Sequence, residues 1–294
     1  NKKDLMNQAV DQLVDGLIRY RLDLAYDGTD FAGWAKQPKL RTVHGELMKA
    51  LITIFGPTKN DFSLRVAGRT DAGVHAEHQV VHLDLSPAQI KRLGRSNDLK
   101  MKLNAILPTD IRVSKAGVAP KHFHARYGAT HRKYRYTIAD ATSGWNPLKA
   151  RFNLWIKYPL DLAAMQEASK EFLGLHDFAA FSKPMPHGTT IRLLRSISVK
   201  RNKALGGVVE IELLADAFAH NMVRSIVGAL IKAGAGRTTA ADIAKALKSK
   251  SRVGHNYKVV TPEGLSLIEV GYPANKDLEA QVTMTQHTRS LEDD

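Results

Sequence analysis

Residues 67–85 read AGRTDAGVHAEHQVVHLDL. In its second half Val81, Leu83 and Leu85 alternate with His82 and Asp84, so 78–85 is expected to form a strand with one apolar face. The preceding FSLRVA at 62–67 alternates in the same way and is expected to be the strand that leads in. Between the two, Gly68 and Gly73 bracket Arg69, Thr70 and Asp71. Glycine accepts backbone angles that other residues resist, so the chain can double back here while displaying an arginine and an aspartate. An architectural account is available, with Asp71 closing an Asx-turn and Arg69 a surface cation. A metal account is weaker, because His75, His78 and His82 would converge on a helix but diverge on a strand.

Working outward, Ile18, Tyr20, Leu22, Leu24 and Tyr26 alternate with Arg19, Arg21, Asp23 and Ala25, which predicts a half-buried strand. The loop DGTDFAGW breaks it. Thr42 then suits the N-cap of a helix whose Val43, Leu47, Ala50, Leu51 and Ile54 share one face, and Gly56-Pro57 stops that helix. A helix around 97–107 and a strand at 111–118 complete a first α+β unit. The second half mixes the same ingredients: a strand at 131–138, a helix at 161–174, and a hairpin at 196–216 turning at Gly206-Gly207. Helices at 221–234 and 240–249 and a strand at 265–272 follow. The expected organisation is α+β, with domains at 18–121 and 122–272 and polar extensions at 1–17 and 273–294.

The chain has 294 residues, and its 43 Lys and Arg outnumber 29 Asp and Glu, a formal net charge of +14. An excess spread along the whole chain favours a polyanionic partner such as nucleic acid, although a merely basic enzyme would look similar. With no cysteine, disulfides, thiolate zinc sites and cysteine nucleophiles are excluded. No apolar run approaches the roughly 18 residues of a membrane span, and NKKDLMNQAVDQLVDGL at the start lacks a signal-peptide core. A soluble, cytoplasmic protein is expected.

Across its length AGRTDAGVHA resembles the motif that carries the catalytic aspartate of the tRNA pseudouridine synthase A family. YDGTDFAGW, FHARYGATHRKYRY, FAHNMVRSIVGALIKAG and EGLSLIEVGYP resemble further segments of that family in the same order, so the likeness covers about 18–272. It implies two α/β domains, each built on a mainly antiparallel sheet with helices on one face, and a central cleft. By position it implies Asp71 as nucleophile, Arg224 as its paired cation, Arg69 as an aid to extruding the uridine, and Tyr134 and Leu265 as stacking and lining residues. Arg126, in FHARY, is a further substrate-binding candidate. The implied substrate is tRNA, at uridines 38, 39 and 40 of the anticodon arm, held by a homodimer.

The residue types suit that chemistry. Isomerising uridine to pseudouridine breaks the glycosidic C–N bond and rejoins the base through C5, so nothing is oxidised, no outside group is donated, and no cofactor or metal is expected. A carboxylate must attack the nucleotide or assist departure of the base, and a guanidinium beside it favours its ionised form. The base must first be unstacked, at a cost of a few kcal/mol that an aromatic ring can offset. Whether the carboxylate meets C6, meets C1′ or drives elimination to a glycal is left open by residue types. His131, Arg132, Lys133 and Arg135 around Tyr134 suit phosphate contact, or simply a solvated charged strand. The competing expectation is a basic RNA-binding protein without chemistry, in which Asp71 is a turn residue.

Overall fold

The computed structural model describes residues 16–59, 61–94, 98–183, 188–255 and 257–286. Most of the expected 1–17 extension, and 287–294 of the expected tail, lie outside the described residues. Their contacts divide the described residues into two units, 16–130 with 269–286, and 131–268. The architecture is α+β.

In the first unit, β1 (Ile18–Tyr26), α1 (Val43–Phe55), β2 (Arg65–Val66), β3 (His75–Leu85), α2 (Pro87–Lys91), α3 (Leu99–Ile106) and β4 (Ile111–Val118) follow in order. β1 lies between β4 and β3, antiparallel to both, and β2 pairs antiparallel with β3. Alternation does what it should on one face: Tyr20, Leu22 and Leu24 join Val81, Leu83 and Leu85 in the core with Val43, Leu47 and Leu51 of α1. The helices are capped as the sequence demands. Thr42 accepts from Gly45 N–H, Ser86 and Gln89 form a reciprocal capping box, and Asp98 accepts from Met101 N–H.

The other face of this sheet is polar yet mostly covered. Arg19 grips Asp84 with two bonds of 2.8 and 3.1 Å and donates to the Phe123 carbonyl. Arg21 grips Asp23 at 2.6 and 2.9 Å. Burial would raise the Asp23 carboxyl, but bonds from His78 and Arg21 outweigh it and hold the group below its usual range.

Two expectations here need correcting. The strand foreseen at 62–67 is reduced to Arg65–Val66, because Asp61, Phe62 and Ser63 take φ of 49°, 56° and 50° in a tight turn. That turn drives Phe62 into the core against Phe55, ring centroids 6.0 Å apart, a burial stronger than the alternating pattern. Within the expected tail, Leu278–Gln286 form a helix whose Leu278 and Val282 are buried, with Gln281 reaching the Ala129 carbonyl at 3.4 Å.

The second unit comprises β5 (His131–Ala139), β6 (Leu154–Trp155), α4 (Leu162–Ser169), β7 (Gly174–Asp177), β8 (Ile191–Asn202), β9 (Val208–Ala215), α5 (Met222–Gly234) and α6 (Ala240–Ser249). Strand β10 (Leu265–Gly271) carries the chain back into the first unit, ahead of α7 (Leu278–Gln286). β5, β9, β8 and β7 form an antiparallel ladder, with β6 parallel to β5. The expected helix at 161–174 stops at Ser169 and tightens into a 3₁₀ turn over Lys170–Phe172, which buries Phe172 before β7 begins. α4 packs on α5 and β8, and the apolar sides of Tyr136, Ile138, Val209, Ile211 and Leu213 lie buried.

Asp140, at the end of β5, is fully buried and anchors this unit. Burial pushes its carboxyl up, but two bonds from Arg201 at 2.9 Å and N–H donors from Leu160 and Ser143 pull harder, leaving it at about 2. A carboxyl depressed in the folded state stabilises fully above its unfolded value, and that contribution is lost as pH falls from about 4 to about 2. Urea denaturation should therefore show about 2 kcal/mol of stability lost across that window. Asp140→Asn should be less stable at neutral pH and should show a flatter acid limb.

Candidate active site

Asp71 sits in the turn between β2 and β3, where its own carbonyl accepts from Val74 N–H at 3.2 Å. The side chain is half-buried, Arg69 beside it is exposed, and Thr70 between them is buried. The turn is also held from outside. Trp34 N–H donates to the Thr70 carbonyl at 3.0 Å and Gly73 N–H donates to Phe31 at 3.2 Å, so the loop DGTDFAGW is laced to the turn on both flanks of Asp71. His75, which opens β3, accepts from Gly28 N–H through Nδ1 at 2.9 Å and fastens the start of the same loop.

Two glycines permit this approach. A Cβ on Gly28 would lie 1.9 Å from the Val74 carbonyl oxygen. Gly33 has φ of 90°, and a Cβ there would lie 2.8 Å from the Thr70 carbonyl oxygen. In sequence this loop reads as a strand breaker and as one of the segments that carry the family likeness, with no partner named for it. Two glycines in eight residues were its available signal, but the partner they make room for is about forty residues away in sequence.

The histidines of the motif have separate partners, as strand geometry requires. His78 Nε2 lies 3.1 Å from Asp23, and His82 Nδ1 accepts from Ala125 N–H at 2.9 Å. Burial keeps His82 well below the usual imidazole range, and His124, whose Nδ1 accepts from Arg126 and Tyr127 N–H, falls to about 3 for the same reason. These neutral rings are backbone acceptors that shape the segment bearing Arg126. Arg126 itself is exposed, its guanidinium 5.4 Å from the Tyr127 ring centroid.

In the second unit Arg224 holds the segment 258–265 that leads to Leu265, and Tyr134 lies on β5, the strand that also holds this segment. Arg224, in the first turn of α5, donates through Nε to the Val260 carbonyl at 2.6 Å and reaches Asn221 Oδ1 at 3.5 Å. Val260 N–H returns a bond to the Arg224 carbonyl at 3.3 Å. From β5, Tyr136 hydroxyl donates to the Thr261 carbonyl at 2.7 Å and Thr137 N–H to the Gly264 carbonyl at 2.9 Å. The next residue is Leu265, 5% exposed. Tyr134, two positions before Tyr136, is 8% exposed and meets Phe218 edge-on, ring centroids 5.1 Å apart. Phe218 was not singled out from sequence; only its place in FAHNMVR, four residues before the start of α5, hinted at it.

The cations flanking Tyr134 are largely committed within the unit. Lys133 and Arg135 both bind Glu212, at 2.7 and 2.9 Å, and buried Arg132 donates to the Asp216 carbonyl.

Among the described residues no helix is long and apolar enough to cross a membrane. Residues 168–273 match the family model described as tRNA pseudouridine synthase. The chain is 43% identical over 291 residues to the tRNA pseudouridine synthase A of Leifsonia xyli subsp. xyli, covering 95% of this chain and 100% of that one. It is 44% identical over 281 residues to the protein of the same name from Streptomyces griseus subsp. griseus, covering 96% and 97%. Against that of Mycobacterium leprae the figures are 38% over 282 residues, covering 93% and 96%.

The lacing of loop to turn makes a paired expectation. Gly28→Ala should cost about 1–3 kcal/mol in urea denaturation, since its methyl meets backbone. Gly68→Ala, with open space around the added carbon, should stay within about 0.5 kcal/mol of the parent.

Proposed function

Because the chain belongs to the tRNA pseudouridine synthase A family, we propose that it isomerises uridine to pseudouridine at positions 38, 39 and 40 of the tRNA anticodon arm, with Asp71 as the reacting carboxylate. The observation that carries this reading is Asp71 itself: a half-buried carboxylate on a turn fastened on both flanks, in a chain that is an isomerase by family.

In the proposed reaction the C1′–N1 bond of uridine breaks, the base turns, and a C1′–C5 bond forms. The hydrogen on C5 leaves to solvent and N1 gains one, so atoms balance with no oxidant and no cofactor. Asp71 serves any of the three routes, addition at C6, attack at C1′ or elimination to a glycal, provided it is ionised. Arg224 is the proposed cation that favours that form. Tyr134 stacks on the extruded base, with Phe218 fixing the plane of its ring, and Leu265 lines the pocket. Arg69, planar and exposed, enters the space the base leaves, and Arg126 meets the RNA backbone.

Several neighbouring targets call for recognition by shape and backbone charge more than by base edges. By resemblance, the working form is a homodimer holding one tRNA in the cytoplasm.

Tritium release from tRNA labelled at uridine C5 tests the reading. The parent should liberate tritium, and Asp71→Ala should reduce release to background while keeping most of its tRNA affinity in a filter-binding assay. Release by Asp71→Ala at the parent rate removes Asp71 from its role. Arg224→Ala should slow release at least tenfold, a loss of about 1.4 kcal/mol of transition-state stabilisation; an unchanged rate removes Arg224.

A further inference from the structure

Under the turn that bears Asp71 runs a polar chain shut off from water. Gln79, Tyr26 and Thr70 are all buried, Gln79 completely. Gln79, on β3, uses both ends of its amide. Its Nε2 donates to the Gly68 carbonyl at 2.8 Å and to the Tyr26 hydroxyl at 3.3 Å, and its Oε1 accepts from Val80 N–H at 3.2 Å. Tyr26, the last residue of β1, places its hydroxyl 2.7 Å from Thr70 Oγ1. Burial pushes the Tyr26 phenol up to about 12, so it stays protonated.

These contacts select their points of attachment. Gly68 lies three residues before Asp71 and Thr70 lies immediately before it, and the Thr70 carbonyl is already held by Trp34. The backbone leading into the aspartate is thus held from β1, from β3 and from the glycine-containing loop. Burying three polar side chains is costly unless each is satisfied, and an apolar trio would pack at less risk. What the polar trio adds is direction.

We infer that Gln79, Tyr26 and Thr70 are positioning residues that aim the Asp71 side chain at the nucleotide. The inference rests on Asp71 being the reacting carboxylate. An aiming error of about 1 Å can cost a hundredfold in rate, so the chain acts on turnover without touching the substrate.

The test measures kcat and KM of tritium release for Thr70→Val, Thr70→Ser, Tyr26→Phe, the double variant Tyr26→Phe with Thr70→Val, and Asp71→Ala, with a thermal melt of each. Thr70→Val keeps the shape and removes the hydroxyl. It should lower kcat by roughly 10- to 100-fold with KM for tRNA within about twofold. Thr70→Ser should restore most of that rate, and the double variant should be no slower than the slower single one, because one bond cannot be lost twice. If Asp71→Ala is inactive while Thr70→Val and Tyr26→Phe turn over like the parent, the positioning chain alone is overturned. Equal impairment of Thr70→Ser and Thr70→Val, tracking a fall in melting temperature, also overturns it in favour of a purely structural contact. An active Asp71→Ala overturns the assignment of Asp71 and this inference together.

Discussion

The contact on which the candidate site depends is the lacing of the loop at 27–34 to the turn at 68–74. A short turn pays about 1–2 kcal/mol for each residue whose backbone it fixes, and inside this one Val74 N–H donates to the Asp71 carbonyl. The bonds from Trp34 to Thr70 and from Gly73 to Phe31 supply the restraint from outside. They need the two backbones closer than side chains would allow, which is why glycine stands at 28 and 33. Sequence-distant glycines thereby decide how firmly an aspartate is held.

A similar solution appears in the second unit with different parts. There the irregular segment ahead of β10 is held by a helix on one side and a strand on the other. Arg224 takes the Val260 carbonyl, while Tyr136 and Thr137 take Thr261 and Gly264. A Cβ on Gly228, one turn beyond Arg224, would stand 2.0 Å from the Lys258 carbonyl oxygen. Asp71, Arg224 and Leu265 lie in a turn or in the first residues of a regular element, where loop backbone can approach a substrate and scaffold elements fix its course.

The regular elements were legible because their signals are local. Alternation placed β1 at its observed bounds, the strand expected at 111–118 is β4, and the cap at Thr42 opened a helix where expected. Reading failed where a distant contact overrode a local pattern: Phe62 abandoned its strand to reach the core, and Leu278 and Val282 turned a polar-looking tail into a helix. The same limit governs the site. Asp71 and Arg69 stand out because their turn is glycine-bracketed, and Arg224, Tyr134 and Leu265 come from the family likeness. Gln79 has no local mark at all, and the glycine pair that includes Gly28 does not say what it makes room for. Charge left Lys133 and Arg135 open to two accounts, phosphate contact or a solvated charged strand, and the structure shows both engaged by Glu212. Net charge reports the excess of cations and not which ones remain to meet a polyanion.

Polar groups beneath the Asp71 turn follow from what an apolar core cannot do. Hydrophobic contact depends on area and is indifferent to direction, so a turn packed on leucines could swivel at little cost. Hydrogen bonds weaken steeply with misalignment, and one amide that must satisfy Gly68, Tyr26 and Val80 together tolerates a narrow range of turn positions. The energetic risk is accepted where precision counts. In this chain that place is the backbone just ahead of a single carboxylate, and the complete burial of Gln79 on β3 reads as the cost of aiming it.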